Sequence, residues 1–408
     1  MKSHLLLALR NLARNRRRAV TALLTISISV ICILLAEGFI HWIFWAMREG
    51  IIQSQLGHIQ VVRPGYNKSG SANPFAYILR DTNGVLREIA STQGVKTVAP
   101  RLAVTGLVSK GEHTVSFIAD ATDPAKEAEL SKAFRIVDGK NLLSVQASEV
   151  VIGKGLARNL GVKAGDTVVL LANTATRGIN AVEAKVAGIF ITGSQAYDDA
   201  ALRLPLAFAQ TLLRTNGEHA WLILLDETDK TDVVLRQLRE RFPSDTSKLE
   251  FVPWYDRADF YNKTVTLFSS QMQVVRLIIS IVIVLSISNL LIMNVLERTG
   301  EIGTMLAIGY KRKEILRLFA TEGLVLGFLG GAIGLALGYG LAELISHVGI
   351  PMPPPPGMEE GYTARIRLNA VILIGAFFTA FLTTALAAVY PAWKASRLNI
   401  VDALRHNI

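Results

Sequence analysis

Residues 294–322 read NVLERTGEIGTMLAIGYKRKEILRLFATE, and a long apolar run lies on either side. A turn between two membrane spans needs far less specified polarity than this. The mixture of charge, glycine and helix-period apolar residues points to a surface that meets another protein. Glu301, Ile302, Met305, Leu306 and Ile308 set out a short amphipathic helix with one apolar face. Gly309 can end that helix in the left-handed cap conformation, and Lys311 to Arg317 restart a helix into the next apolar run.

Working outward, the composition places the chain in a membrane. It has 408 residues, half of them hydrophobic, and a formal net charge of +10. The apolar residues gather near the start and in the last third. The basic residues cluster beside them, as membrane topology requires, so the charge does not call for nucleic acid. The single cysteine, Cys32, lies inside an apolar run, which leaves no disulfide framework.

Taken in order, residues 1–18 form a basic amphipathic helix expected to lie on the inner leaflet. Leu5, Leu9, Leu12 and Ala13 share one face, and Arg10, Arg14, Arg17 and Arg18 another. Spans follow over 19–47, 266–296, 318–346 and 368–393, each long enough to cross a hydrocarbon core of about 30 Å. Glu37 reads as an interfacial carboxylate near the far end of the first span, beside Trp42 and Trp45. Between the first two spans, residues 48–265 alternate strand and helix signals. Val150–Ile152 leads through a glycine turn into a helix that ends at Gly161, and Gly165-Asp166 turns into a strand at Thr167. The expected fold is membrane α-helical, with four transmembrane helices and a large α+β extracytoplasmic domain of two subdomains. The segment at about 123–203 is read as inserted into the other subdomain.

In the third span Gly323, Gly327 and Gly331 form one row of small residues, and Gly330, Gly334 and Gly338 form a second. Small residues let helix backbones approach closely in lipid, so these rows are expected to pack on other helices. The basic flanks are the N-terminus, the 297–317 linker and the tail over 394–408. They place both termini in the cytoplasm and the large domain outside. The loop over 347–367 contains Pro351-Met-Pro-Pro-Pro-Pro-Gly357, a stiff polyproline segment that either braces the domain or simply joins two spans.

Here the residues reach a family. Glu297-Arg298, Glu301-Ile302-Gly303 and Ala307-Ile308-Gly309, with Phe319 and Glu322, resemble the cytoplasmic motif of FtsX/MacB-like ABC-transporter permeases. The tail from Tyr390-Pro391-Ala392 resembles the family's ending, and Ala8-Leu9-Arg10-Asn11-Leu12 its opening. In the domain, Ile152-Gly153, Leu160-Gly161-Val162 and Gly165-Asp166 fit the MacB-like periplasmic core. Gly188 to Gly193 with Asp199, Pro205-Leu206 and Ala209-Gln210 resembles the lipoprotein-releasing (LolC/LolE-like) branch.

The resemblance implies a permease of the bacterial inner membrane that works as a dimer with a second copy or a paralogue. It implies docking on a cytoplasmic ABC ATPase through a coupling helix, and mechanotransmission to the periplasmic side. Carried over by position, the coupling residues are Glu297, Arg298, Glu301, Ile302, Gly303, Met305, Ala307 and Gly309. Membrane lipids and a periplasmic adaptor or carrier are the further partners it implies. No cofactor is expected in this chain, because ATP and magnesium would bind the ATPase. Gly139-Lys140 and Gly153-Lys154 lack the upstream glycine and the following Ser or Thr of a phosphate loop, so the ATPase is expected on a separate polypeptide.

No catalytic residues are assigned. The seven histidines show no ligand spacing, and no metal site is expected. Asp198-Asp199 has no nucleophile or base partner in sequence. Glu322 and Glu343 flank the third span and read as interfacial, with Glu322 facing Arg298 or Arg317. Release or export of lipoproteins or another amphiphilic cargo is the leading function. The alternative is an FtsX-like regulator of a periplasmic cell-wall hydrolase. A sensor for a signalling kinase is disfavoured, because such proteins carry more spans.

Overall fold

The computed structural model describes residues 16–397 except 71, 82–83, 128–129, 131–133, 146, 193–194 and 355–360. Before residue 16 it describes Leu7, Arg10, Asn11 and Arg14. Most of the expected helix over 1–18, the end of the tail and much of the polyproline loop therefore lie outside the described residues. The chain forms two compact units. One holds residues 1–45, 263–351 and 363–408, and the other holds 46–262 and 352–362.

Among the described residues of the first unit, four helices are long and apolar enough to cross a membrane. They are the first span (Arg16–Ile51), the second (Asp259–Glu297), the third (Arg312–Val348) and the fourth (Ala370–Ser396). A short surface helix, Thr299–Ala307, joins the second to the third. Asn369 caps the fourth span, its side chain accepting from the Ile372 amide at 2.8 Å. The spans outrun the apolar runs at their ends because helix continues through polar residues that the bilayer does not need.

The two glycine rows of the third span face different neighbours. A Cβ on Gly323, Gly327 or Gly331 would meet Ala388, Thr384 or Phe377 of the fourth span. A Cβ on Gly330, Gly334 or Gly338 would meet Ile26, Val30 or Leu34 of the first, at 2.7–2.8 Å. The close approach also lets Ser27 Oγ donate to the Gly330 carbonyl at 2.9 Å. The apolar core of the bundle draws on all four spans, through Ile26, Val30, Ile287, Leu291, Leu326 and Ala380 among others.

Two ion pairs join the first and second spans. Arg18 pairs with Glu297 near one end, and Arg276 with Glu37 near the other. Nineteen residues separate Arg18 from Glu37 and twenty-one separate Arg276 from Glu297, about 29 and 32 Å of helix at 1.5 Å per residue. That is one hydrocarbon thickness. Glu37 therefore lies near the far end of the span, as its sequence position suggests, but as a buried partner of Arg276, 8% exposed. Sequence reading missed it because the partner lies 239 positions away.

The second unit is an α/β domain built on one mixed sheet. Its strands, among the described residues, are β1 (Ile59–Val62), β2 (Val95–Lys110), β3 (His113–Thr122), β4 (Arg135–Gly139), β5 (Glu149–Gly153), β6 (Thr167–Asn173), β7 (Ile179–Ile191), β8 (Ala201–Pro205), β9 (Ala220–Leu225) and β10 (Glu250–Pro253). Their order is β10-β1-β9-β2-β3-β8-β5-β7-β4, with β6 bridging β2 and β7. The pairs β3–β8 and β5–β7 are parallel. The long β2 pairs with β9 up to Arg101 and with β6 from Gly106. Gly106 marks the change of partner: a side chain there would strike the Leu171 carbonyl of β6.

The segment at 123–203, read as an inserted subdomain, supplies β4 to β8. The two largest cores along the sheet lie around Ile59, Trp221, Leu235 and Phe251 and around Leu102, Phe117, Ile152 and Leu170. The second core also takes Leu206–Leu213, and β3 hydrogen-bonds directly to β8, so the division of the core does not follow 123–203. Pairing of β8 with a strand some eighty positions earlier leaves no local trace in sequence.

The glycine rows make one prediction. Gly334→Leu forces side-chain atoms into the first span and should cost about 1–3 kcal/mol through overpacking. Gly340→Leu, where a Cβ meets open space, should leave stability unchanged. Thermal midpoints of the detergent-solubilised chain check both.

Two buried histidines of the domain make another. Burial lowers His58 to about 4, opposed by the attraction of Glu49 and aided by the repulsion of Arg48, and burial lowers His219 to about 4 as well. The unfolded chain, with histidine near 6.5, binds protons that the folded domain refuses. The stability of the domain should therefore be flat above pH 6.5 and fall as the pH drops from 6.5 toward 4, by up to about 3 kcal/mol per histidine. Chemical denaturation of the full chain as a function of pH measures it.

Candidate functional site

The surface helix Thr299–Ala307 has the sequence TGEIGTMLA. Its period places Ile302 and Gly303 on a buried face. Ile302 packs with Val295 of the second span, Ile315 and Phe319 of the third, and Ala392 and Ala395 of the fourth. Met305 and Leu306 are half-buried at the edge of this cluster. The helix stops before Gly309, whose φ of 103° is open to glycine and strained for other residues. The third span then begins, with Glu314 accepting from the Lys311 amide at 2.8 Å.

A charged network ties this helix down. Arg298 is 7% exposed and Glu322 is fully buried. Arg298 donates through one terminal nitrogen to Glu322 Oε1 at 3.0 Å and through Nε to Glu301 Oε2 at 2.9 Å. Its guanidinium carbon lies 5.5 Å from the Phe319 ring centroid. Asn11 donates to Glu322 Oε1 at 2.7 Å. Arg14 donates to both oxygens of Glu301, at 2.6 and 2.7 Å, and Arg18 pairs with Glu297. Partial desolvation pushes the Glu301 carboxyl up, but the hydrogen bonds from Arg14 and Arg298 outweigh it and hold the group below its usual value.

The residues singled out from sequence therefore separate into two sets. Arg298, Ile302 and Gly303 point into the bundle, and Glu297 and Glu301 are half-exposed but engaged by the chain's own arginines. Ala307 and Gly309 are exposed. Ile308 does not belong to the apolar face: the helix ends at Ala307, and Ile308 is 77% exposed. With Tyr310, Lys311, Arg312 and Lys313 it forms an outward-facing turn, apolar at its tip and basic along its side.

Two further readings need correction. Glu322 pairs with Arg298, one of the two partners the sequence offered, but it is fully buried rather than interfacial. Arg14 and Arg18, read as facing the inner leaflet, reach Glu301 and Glu297. Asn11, Arg14 and Arg18 were not recognised as part of this site. Nearly 300 positions separate them from their partners, so no spacing signal could have joined them.

Comparisons with known proteins match residues of both units of the chain. The model of the MacB-like periplasmic core domain matches residues 19–241, and that of the FtsX-like permease C-terminal region matches residues 274–400. The macrolide export ATP-binding/permease protein MacB of Rhodospirillum rubrum is 28% identical over 86% of this chain and 52% of its own length. MacB of Syntrophobacter fumaroxidans is 30% identical over 53% of this chain and 28% of its own length. The chain thus spans about half or less of these relatives. An uncharacterized ABC transporter permease of Methanocaldococcus jannaschii, MJ1507, is 26% identical over 69% of both chains. Among solved structures, the periplasmic region of MacB from Actinobacillus actinomycetemcomitans is 11% identical with a TM-score of 0.37, covering 54% of this chain and 98% of that one.

The buried pair can be tested by itself. Arg298→Met or Glu322→Met strands a buried charge and should cost about 3–5 kcal/mol, while the double variant should recover much of the loss. Unfolding of the detergent-solubilised chain gives the coupling energy of the cycle.

Proposed function

This chain belongs to the FtsX/MacB-like family of ABC-transporter permeases, and on that premise we propose that it converts ATP-driven motion of a separate ABC ATPase into movement of its α/β domain. The observation that carries the proposal is the anchoring of a short surface helix by a buried ion pair across the ends of three spans. A helix so anchored moves with the spans when a partner pushes on it. The outward turn Ile308–Lys313 is the contact, an apolar tip with a cationic flank suited to an acid-rimmed apolar groove. Glu297, Arg298, Glu301, Ile302, Gly303 and Met305 support it from behind, while Ala307 and Gly309 shape it.

In this reading the basic end of the bundle and both termini face the cytoplasm of a bacterial inner membrane, and the α/β domain is periplasmic. The second span is the least covered, with 17% of its apolar window buried against 33–39% in the others, which suits pairing with a second permease copy or a paralogue. ATP and magnesium would be bound by the ATPase. The cargo is an amphiphile taken from the outer leaflet, with lipoproteins favoured by the domain motifs around Gly188–Gly193 and Pro205. A periplasmic adaptor or carrier would receive it.

Reversal of Lys311, Arg312 and Lys313 to glutamate should abolish co-purification of the ATPase without changing the stability of the permease. Retained co-purification would sink the assignment of this turn. Photo-crosslinking from Tyr197 in cells should then yield acylated polypeptides. Adducts with an adaptor alone would mean efflux instead, and adducts with a cell-wall hydrolase alone would mean regulation without cargo.

A further inference from the structure

The helix of the first span runs to Ile51 and then through a π-helical turn, Ile52–Leu56, before Gly57 breaks it at a φ of 63°. From Ala46 onward these residues belong to the compact unit of the α/β domain. A helix C-terminus leaves carbonyls without intrahelical donors and carries the negative end of the helix dipole. Arg101 of β2 meets this end. One terminal nitrogen donates to the Gln55 carbonyl at 2.9 Å, and the other to the Ser54 carbonyl at 3.3 Å.

Arg101 is 5% exposed, so it needs a counter-charge. Glu127, 3% exposed, accepts from it through Oε1. Arg203 of β8 donates to the same oxygen at 2.5 Å and is equally buried. The guanidinium of Arg203 lies 4.1 Å from the Phe134 ring centroid, and Phe134 packs edge-on against Phe190 of β7. A continuous set of contacts thus runs from the end of the helix through β2 and β8 to β7.

The charges explain why the parts belong together. Two guanidiniums and one carboxylate leave one positive charge in the interior. Asp120, 3.9 Å from Arg101, and the two helix carbonyls face it. Withdrawal of the helix end would leave Arg101 short of two acceptors in a buried site. A triad of this kind is weak as a source of stability, because apolar residues of equal volume hold a core as well. What it does distinctively is fix one geometry.

We infer that Arg101, Glu127 and Arg203 form a socket for the C-terminal end of the first span and pass its displacement to the part of the sheet built by β5, β7 and β8. They are positioning residues for the conformational change, and the inference rests on the transduction role proposed above. It adds that the route enters the domain through the helix carbonyls.

Hydrogen exchange of the full chain with its ATPase in nanodiscs, with and without ATP, tests it. In the unsubstituted complex ATP should change exchange in residues 46–51 and in β5 and β8. In Arg101→Gln the change at β5 and β8 should shrink at least about fivefold, the lower end of ordinary coupling, while that in residues 46–51 persists. Arg101→Lys, which keeps the charge but not the fork, should fall between. A change at β5 and β8 that survives in Arg101→Gln overturns the socket and leaves the transduction reading standing. Absence of any ATP-dependent change in the unsubstituted complex overturns both. Should Arg101→Gln not fold, Glu127→Gln, which removes the charge and keeps one oxygen to accept from the guanidiniums, decides by the same comparison.

Discussion

A guanidinium in an apolar interior has to be matched, and at Arg298 the match organises one whole end of the bundle. The group is 7% exposed, and its counter-charge, Glu322, sits nearly three turns inside the third span. For the two to meet, the linker after the second span must fold back across the end of the third. Ile302 then falls among Val295, Phe319 and Ala392, and the helix Thr299–Ala307 lies over three spans at once. Breaking the pair would expose neither partner to water, so the arrangement resists partial opening.

The bundle beneath is held by two kinds of contact that act at different depths. Apolar side chains gain little by meeting one another rather than lipid, so close backbone approach must supply the attraction. The third span provides it with its two glycine rows, one against the fourth span and one against the first. The second span is held differently. It is tied to the first by Arg18–Glu297 and by Glu37–Arg276, one hydrocarbon thickness apart. Charges at these heights stay near the headgroups, where their desolvation is least costly. Two fixed points on the same pair of helices prevent them from sliding past one another.

Much of this was legible in the sequence because its causes are local. Apolar length defines the spans, the four-residue glycine spacing marks the close-packing faces, and Gly161 and Gly309 mark helix ends that the structure places within two residues. The strands at 149–153, 167–173 and 220–225 follow from runs of β-branched and apolar residues bounded by turns. Apart from Glu322 with Arg298, the partners of isolated charges were not legible. Glu37 with Arg276, Arg101 with Glu127 and Arg203, and Arg14 with Glu301 each join residues whose separation encodes nothing, and the order of a mixed sheet is non-local in the same way.

That limit bears directly on how the linker motif is understood. A dense set of charges between two spans looks like a surface made for another protein, and the family pattern reinforces the impression. Yet the acidic and basic groups at its start, Glu297, Arg298 and Glu301, are engaged within the chain. The outward, exposed character lies seven to twelve residues beyond Glu301, at Ile308, Tyr310 and the Lys311–Lys313 run. A spacing motif records that charges must be satisfied, and it is silent on whether the satisfying group comes from the same chain. Burial and pairing answer for this chain: Arg298 is covered by its own fold, and Glu297 and Glu301, though half-exposed, are already paired with Arg18 and Arg14. The first half of the motif is thus spent on holding the linker to the spans, and the proposed function places the push on the second half.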